Sequence, residues 1–261
     1  MTFGSVFGRT FSPTFQPSSQ AAAAVSTFVP TDVSNMILWY DFSDANYLFT
    51  DAGSTKVSSD GDAIYQANDK SGNGYHLVQA TAGYRPLYKT NVQNSKSVAR
   101  LDGSDDWMAW ANTTQRAQPN TYFSVWKANN AEGDACYIHD GQYSTSYRNA
   151  LLSNASATPD DYYLYATSNW YTGDTFPKGS FVIACALFNG ASSQLWQNAS
   201  DLGTGNAGTA SMAGLTLGAR ISTHALPLDG DFCELIWYNK ALTDTERDNV
   251  FTYLNNKWAI Y

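Results

Sequence analysis

Cysteine is scarce in this chain of 261 residues, and basic side chains are outnumbered by acidic ones. Cys136, Cys185 and Cys233 each sit in an apolar, strand-like run, and no two have Cys-x-x-Cys spacing. An odd number cannot all pair within one chain, so buried, reduced thiols acting as small hydrophobes are expected. That is the state of a chain folded in a reducing cytoplasm. The 15 Lys and Arg are scattered among 23 Asp and Glu, for a formal charge of −8. A phosphate-binding surface needs clustered cations, so no nucleic-acid partner is expected. No run approaches the roughly 18 apolar residues of a membrane-spanning helix, so no membrane partner is expected either. Met1–Gln20 lacks the basic start and apolar run of a secretory signal. His76, His139 and His224 lie far apart without ligand-spaced partners. There is no Gly-x-Ser-x-Gly elbow and no phosphate-cradling Gly-Lys-Ser/Thr loop. From these absences the chain is expected not to be an enzyme.

Aromatic residues, by contrast, are abundant: 15% of the chain, with 8 Trp and 17 Tyr. Flat rings pack well on a pleated surface, so this usage favours strands. Short apolar runs separated by turn residues follow one another from Met36–Phe42 to Phe232–Tyr238. Asn189-Gly190, between Phe181–Phe188 and Ser193–Asn198, reads as a hairpin turn. Many short strands of this kind indicate a sandwich or barrel in a single domain. One helix is expected, at the C-terminus. Thr243-Asp-Thr-Glu246 has the form of a capping box, and Val250, Phe251, Leu254 and Trp258 follow at three- and four-residue steps. This helix should pack back onto the sandwich.

Residues 1–30 have a different texture and are read as an extended N-terminal arm, with the domain spanning 31–261. Phe3, Phe7, Phe11 and Phe15 recur every four residues among Gly, Ser, Thr and Pro. That composition disfavours helix, and in an extended chain the spacing returns each ring to one side. The segment is either a disordered tail or an arm that seats its rings in a neighbouring subunit. In the second case a symmetric homo-oligomer such as a trimer is expected.

Several motifs together resemble the concanavalin A-like superfamily, specifically laminin-G-like jelly rolls of bacterial surface and phage proteins. They are Leu38-Trp-Tyr-Asp-Phe-Ser43, Asp69-Lys-Ser-Gly-Asn-Gly74 with His76-Leu77, and Ala99-Arg-Leu-Asp-Gly-Ser-Asp-Asp106. The strongest runs from Leu228 to Arg247 and on to Tyr253-Leu-Asn-Asn-Lys-Trp258. The resemblance implies an all-β jelly-roll sandwich of two antiparallel sheets, with loops at one edge that bind sugars and sometimes calcium. It does not imply one function.

Relatives that cleave glucans carry Glu-x-Asp-x-x-Glu; the nearest run here is Asp229-Gly-Asp231-Phe-Cys-Glu234. A regular strand puts Asp231 and Glu234 on opposite faces, and only a bulge would bring them together. Sugar sites join an aromatic ring to short polar groups, and Asp105-Asp106-Trp107 and Asn169-Trp170-Tyr171 offer that mixture; the alternative is that both Trp are packing residues. Asp102, Asp105 and Asp106 present the hard oxygens calcium prefers, or else serve as Asx-turn residues. No other cofactor is expected. A lectin-like fold, no export signal and a Phe-studded arm together suggest a structural virion protein of a tailed phage, made in the host cytoplasm. The arm would dock on other virion proteins, and the exposed jelly roll would contact a cell-surface glycan. A free carbohydrate-binding module or lectin is the alternative reading, and a glycoside hydrolase the third.

Overall fold

The structure, a computed structural model, describes residues 1–2, 28–141, 146–154, 160–220 and 223–261. The phenylalanines at 3, 7, 11 and 15 therefore lie outside the described residues.

The strands, in chain order, are β1 (Met36–Asp41), β2 (Leu48–Phe49), β3 (Gln66–Ala67), β4 (Leu77–Val78), β5 (Leu87–Gln93), β6 (Lys96–Asp102), β7 (Met108–Trp110), β8 (Asn120–Ala128) and β9 (Tyr137–Asp140). They continue as β10 (Ala150–Asn154), β11 (Asp161–Tyr165), β12 (Asn169–Thr175), β13 (Val182–Phe188), β14 (Ser193–Gln197), β15 (Ser200–Gly205), β16 (Leu215–Leu217) and β17 (Asp229–Tyr238). The helix α1 (Asp244–Trp258) closes the chain. Two antiparallel sheets result. One is ordered β15-β14-β13-β8-β17-β6-β5, with β1 also paired to β17; the other has nine strands, ordered β12-β11-β10-β9-β16-β7-β4-β3-β2. The expected all-β sandwich with one C-terminal helix is what forms.

The long strand β17 organises the first sheet. Along one edge it pairs with β8. Along the other, Asp229–Phe232 pair with β6 and Glu234–Tyr238 pair with β1. The ladder to β8 shifts register between Phe232 and Glu234, where the second edge passes from one partner strand to the other. Inward side chains of both sheets form the main core, including Tyr40, Trp126, Leu151, Leu164, Leu217 and Trp237.

A second apolar layer lies on the outer face of the first sheet, beneath α1. Phe123, Val125, Ile183, Cys185 and Ile236 meet Val250, Phe251, Leu254 and Trp258 there. The helix starts as expected: Thr243 Oγ1 accepts the Glu246 amide, and the Glu246 carboxylate accepts the Thr243 amide. It is locked down by Glu234, a fully buried carboxylate. Trp39 Nε1 and Tyr253 Oη donate to one of its oxygens, and Trp258 Nε1 and Lys257 Nζ to the other. Just ahead of β1, Phe28 packs on this layer, and Tyr238 Oη donates to the Pro30 carbonyl at 2.9 Å. All three cysteines are free and buried.

Candidate functional site

The helix α1 covers the outer face of the first sheet; the outer face of the nine-stranded one carries a cluster of aromatic side chains, buried over β9 and β10 and exposed at the β12 edge. Strand alternation decides what it displays. In β11, Tyr162 and Leu164 point into the core, and Tyr163 and Tyr165 point out. The pairing aligns Tyr137, Leu152, Tyr163 and Tyr171 in a row across β9, β10, β11 and β12. Ala150, Tyr165 and Asn169 form a second row beside it. At the usual strand spacing this platform is about 14 Å wide.

Its rings are held by one another and by a buried ion pair. Tyr163 and Tyr171 lie 4.7 Å apart between centroids. Tyr163 Oη donates to Asn169 Oδ1 at 2.5 Å, and Asn169 Nδ2 donates to Tyr171 Oη at 3.4 Å. Beside them Arg148 makes two 2.7 Å bonds to the carboxylate of Asp140 and donates to Tyr137 Oη at 3.1 Å. The guanidinium stacks 4.8 Å from the Tyr165 ring. Burial alone would lower the Arg148 pKa, but the bonds and charge of Asp140 outweigh it and hold it above its usual range. Burial, then the neighbouring Tyr171, Tyr137 and Tyr165, push the Tyr163 hydroxyl up, so it stays a neutral donor. Tyr171 crowns the group at 46% exposure.

The residues singled out in sequence are distributed over this face and its flank. Trp170 turns inward and packs against the main core, close against Gly205, while its neighbours Asn169 and Tyr171 face water. Trp107 lies toward the other end of the same sheet, about 24 Å from β12 at five strand spacings. There it lines a groove of about 480 Å³ with His76, Gln79, Thr81 and Trp110. One face of its indole is stacked on His224 at 3.7 Å, and Gln79 is bound to the Trp107 carbonyl and the Thr81 amide. The two sugar-type clusters are thus separate stations on one face.

Beside Trp107, oxygens of Asp102, Asp105 and Asp106 lie within 4.8 Å of one another, the one such acidic group among the described residues. Asp102 accepts the Ser104 and Asp105 amides, which is Asx-turn geometry, and Asp106 accepts the Asp102 amide at 3.2 Å. Burial and the charge of Asp102 raise the Asp106 carboxyl to about 6. In the Asp229–Glu234 run, the shift at Phe232/Glu234 sets Asp231 and Glu234 on the same outer face. Both are already committed. Asp231 is bound bidentately by Arg100 and lies 3.4 Å from Lys127, and Glu234 anchors the helix.

No protein-family model and no curated protein sequence matches this chain. Solved structures do. Domain 4 of a GH43 extracellular arabinanase from Geobacillus stearothermophilus, in complex with arabinotriose, superposes with a TM-score of 0.58 at 13% identity, over 81% of this chain and 96% of that one. A GH54 α-L-arabinofuranosidase gives 0.61 at 15%, over 86% and 64%. A Trypanosoma rangeli sialidase in complex with sialic acid gives 0.55 at 11%, over 86% and 33%. The chain therefore spans the arabinanase domain nearly whole, but a third of the sialidase and less than two thirds of the arabinofuranosidase. What these likenesses share with this chain is the fold.

One expectation is corrected by these likenesses. The missing motifs lead to the expectation that the chain is no enzyme. The structures that share its fold come from glycoside hydrolases and a sialidase, at 11–15% identity. At that distance a catalytic pair is set by tertiary geometry, so a missing motif carries no weight.

Proposed function

We propose that this chain binds a glycan on the outer face of the nine-stranded sheet, at its β12 edge, with Tyr171 as the contact. The observation that carries this reading is Tyr171: a large ring 46% exposed, backed by Tyr163 and bordered by the Asn169 amide. A sugar buries its C–H face against such a ring and its hydroxyls against side-chain amides and phenols. The complexes of the arabinanase domain with arabinotriose and of the sialidase with sialic acid support it. A glycan array probed with the full chain, followed by titration of any hit, is the test. Specific binding that Tyr171→Ala removes is expected; silence on the array would sink the reading.

The arm is proposed to tie this module to a larger assembly, as in a phage virion, the rings of Phe3, Phe7, Phe11 and Phe15 seating in other subunits. Light scattering of the full chain and of a version lacking residues 1–27 tests it. Assembly of the full chain alone is expected, and identical monomers would contradict it.

A hydrolytic reading is favoured by a different observation. Retaining glycosidases need two carboxyls about 5 Å apart, one of them with a raised pKa. The Asp102, Asp105 and Asp106 oxygens lie within 4.8 Å, and Asp106 sits at about 6. Release of 4-nitrophenol from its α-L-arabinofuranoside, abolished in Asp106→Asn, would support this reading. Equal turnover in that variant would remove this cluster from consideration.

A further inference from the structure

The groove beside Trp107 lies away from Tyr171, and its lining favours an apolar occupant. Met108, Trp110 and Leu77 belong to the main core, so by strand alternation Ala109 and Val78, paired across β7 and β4, point outward and form its floor. Trp107 supplies a wall. His224 lies flat on one face of that indole, with 3.7 Å between centroids and 5° between planes, and so fixes its orientation. Polar groups around the space are engaged within the chain. Gln79 Nε2 donates to the Trp107 carbonyl and Gln79 Oε1 accepts the Thr81 amide, while His76 Nδ1 accepts the Asp69 amide. Among the described residues no Lys, Arg, Asp or Glu lines the groove. Its volume of about 480 Å³ is that of a ligand site. A flat apolar ring would gain an indole and an aliphatic floor there, and would leave no charge unanswered.

The chain itself offers such rings. Phe3, Phe7, Phe11 and Phe15 lie in a segment, residues 1–27, whose one charged side chain is Arg9. Where that segment joins the fold decides whose groove it fills. Phe28 packs in the layer on the outer face of the first sheet, and the Pro30 carbonyl is held there by Tyr238. The arm therefore joins the sandwich on the face opposite the groove. A donor on one face and a receptor on the other make a head-to-tail contact between copies, the geometry that closes into a ring. From Phe15 to Phe28 the chain can span at most about 45 Å, enough to cross to a neighbour. We propose that the Trp107 groove receives a phenylalanine ring from the arm of a second copy of this chain. This rests on the reading of the arm as a tie to a larger assembly, and it names the tie's partner.

Two measurements on the full chain test it. Light scattering compares wild type with Ala109→Arg, which fills the groove floor. Photo-crosslinking uses a benzophenone side chain in place of each arm phenylalanine in turn, in a mixture of unlabelled and isotope-labelled copies. Wild type should assemble, Ala109→Arg should have the mass of a single chain with its unfolding midpoint unchanged, and cross-links should join the arm of one copy to residues 76–81 or 107–111 of another. Should Ala109→Arg fail to fold, the cross-links decide. An assembled wild type whose cross-links fall elsewhere or within one copy overturns the groove as receptor and leaves the arm reading standing. A monomeric wild type overturns both. A glycan whose binding Trp107→Ala abolishes would place sugar in the groove, and would also overturn the proposal.

Discussion

Acid should destabilise this protein chiefly through one fully buried imidazole. His139 is fully buried, and burial lowers its pKa from 6.5 to about 3, an interaction with the Asn149 backbone offsetting a little of that. The folded state keeps the ring neutral while the unfolded chain binds a proton below about pH 6.5. Stability is thus complete above 6.5 and is lost as pH falls toward 3. One pKa unit is worth about 1.4 kcal/mol, so the full effect is roughly 5 kcal/mol, comparable with the whole stability of a domain. Other groups must be separated from it: burial also lowers the His224 pKa and raises that of Glu234, and two aspartates are shifted in opposite directions. Burial raises Asp41, but Lys257 and Lys70 outweigh that and hold it at about 2, so its contribution fades only below the ordinary carboxylate range. Asp106, raised to about 6, acts in the opposite sense and stabilises the fold as pH falls through 6. The informative quantity is therefore the difference between wild type and His139→Phe, measured by urea unfolding at half-unit steps from pH 7.5 to 4. The variant should lack a slope of about 1.4 kcal/mol per pH unit below 6.5. Parallel profiles for the two proteins would refute the reasoning.

Three further outcomes are expected. Glu234→Gln removes the charge that Lys257, two indoles and Tyr253 converge on, and urea unfolding should show a loss of about 3 kcal/mol; a loss under about 1 kcal/mol would mean the anchor is incidental. A Cβ on Gly205 would come within 2.4 Å of the Trp170 ring, so Gly205→Ala should cost about 1–3 kcal/mol by thermal or urea unfolding, whereas an unchanged midpoint would show that Trp170 can move aside. Burial pushes the Cys136 thiol up to about 12 and raises Cys185 and Cys233 as well, so a thiol reagent at pH 8 should label none of the three until the protein is unfolded.

The frame of this fold was legible where local chemistry and long-range packing agree. The capping box at Thr243 and Glu246 and the four apolar residues after it mark a helix by themselves, and that helix forms. Asn189-Gly190 marked its hairpin, although only Gly190, at φ +59°, uses the left-handed region; a short turn of 3-10 helix over Gly190–Ser192 completes the connection. The site was less legible. Its tyrosines come from β9, β11 and β12, and no local pattern says that these strands are neighbours. Two signals were nevertheless present. Adjacent residues on a strand face opposite ways, so Trp170 and Tyr171 were bound to part company. By the same alternation, Tyr163 and Tyr165 share one face. The buried carboxylates of β17 hinged on one register shift, which no composition reveals. Its location follows from where β6 ends and β1 begins along the same edge.

The central claim is that the tyrosine face holds a glycan. The most direct measurement is calorimetric titration of wild type, Tyr171→Ala and Trp107→Ala with an oligosaccharide found on the array. Binding should weaken at least about tenfold in Tyr171→Ala, a loss of about 1.4 kcal/mol, with unfolding unchanged. Trp107→Ala, a station away on the same sheet, should retain binding. Undiminished affinity in Tyr171→Ala would contradict the account and move the ligand off the platform.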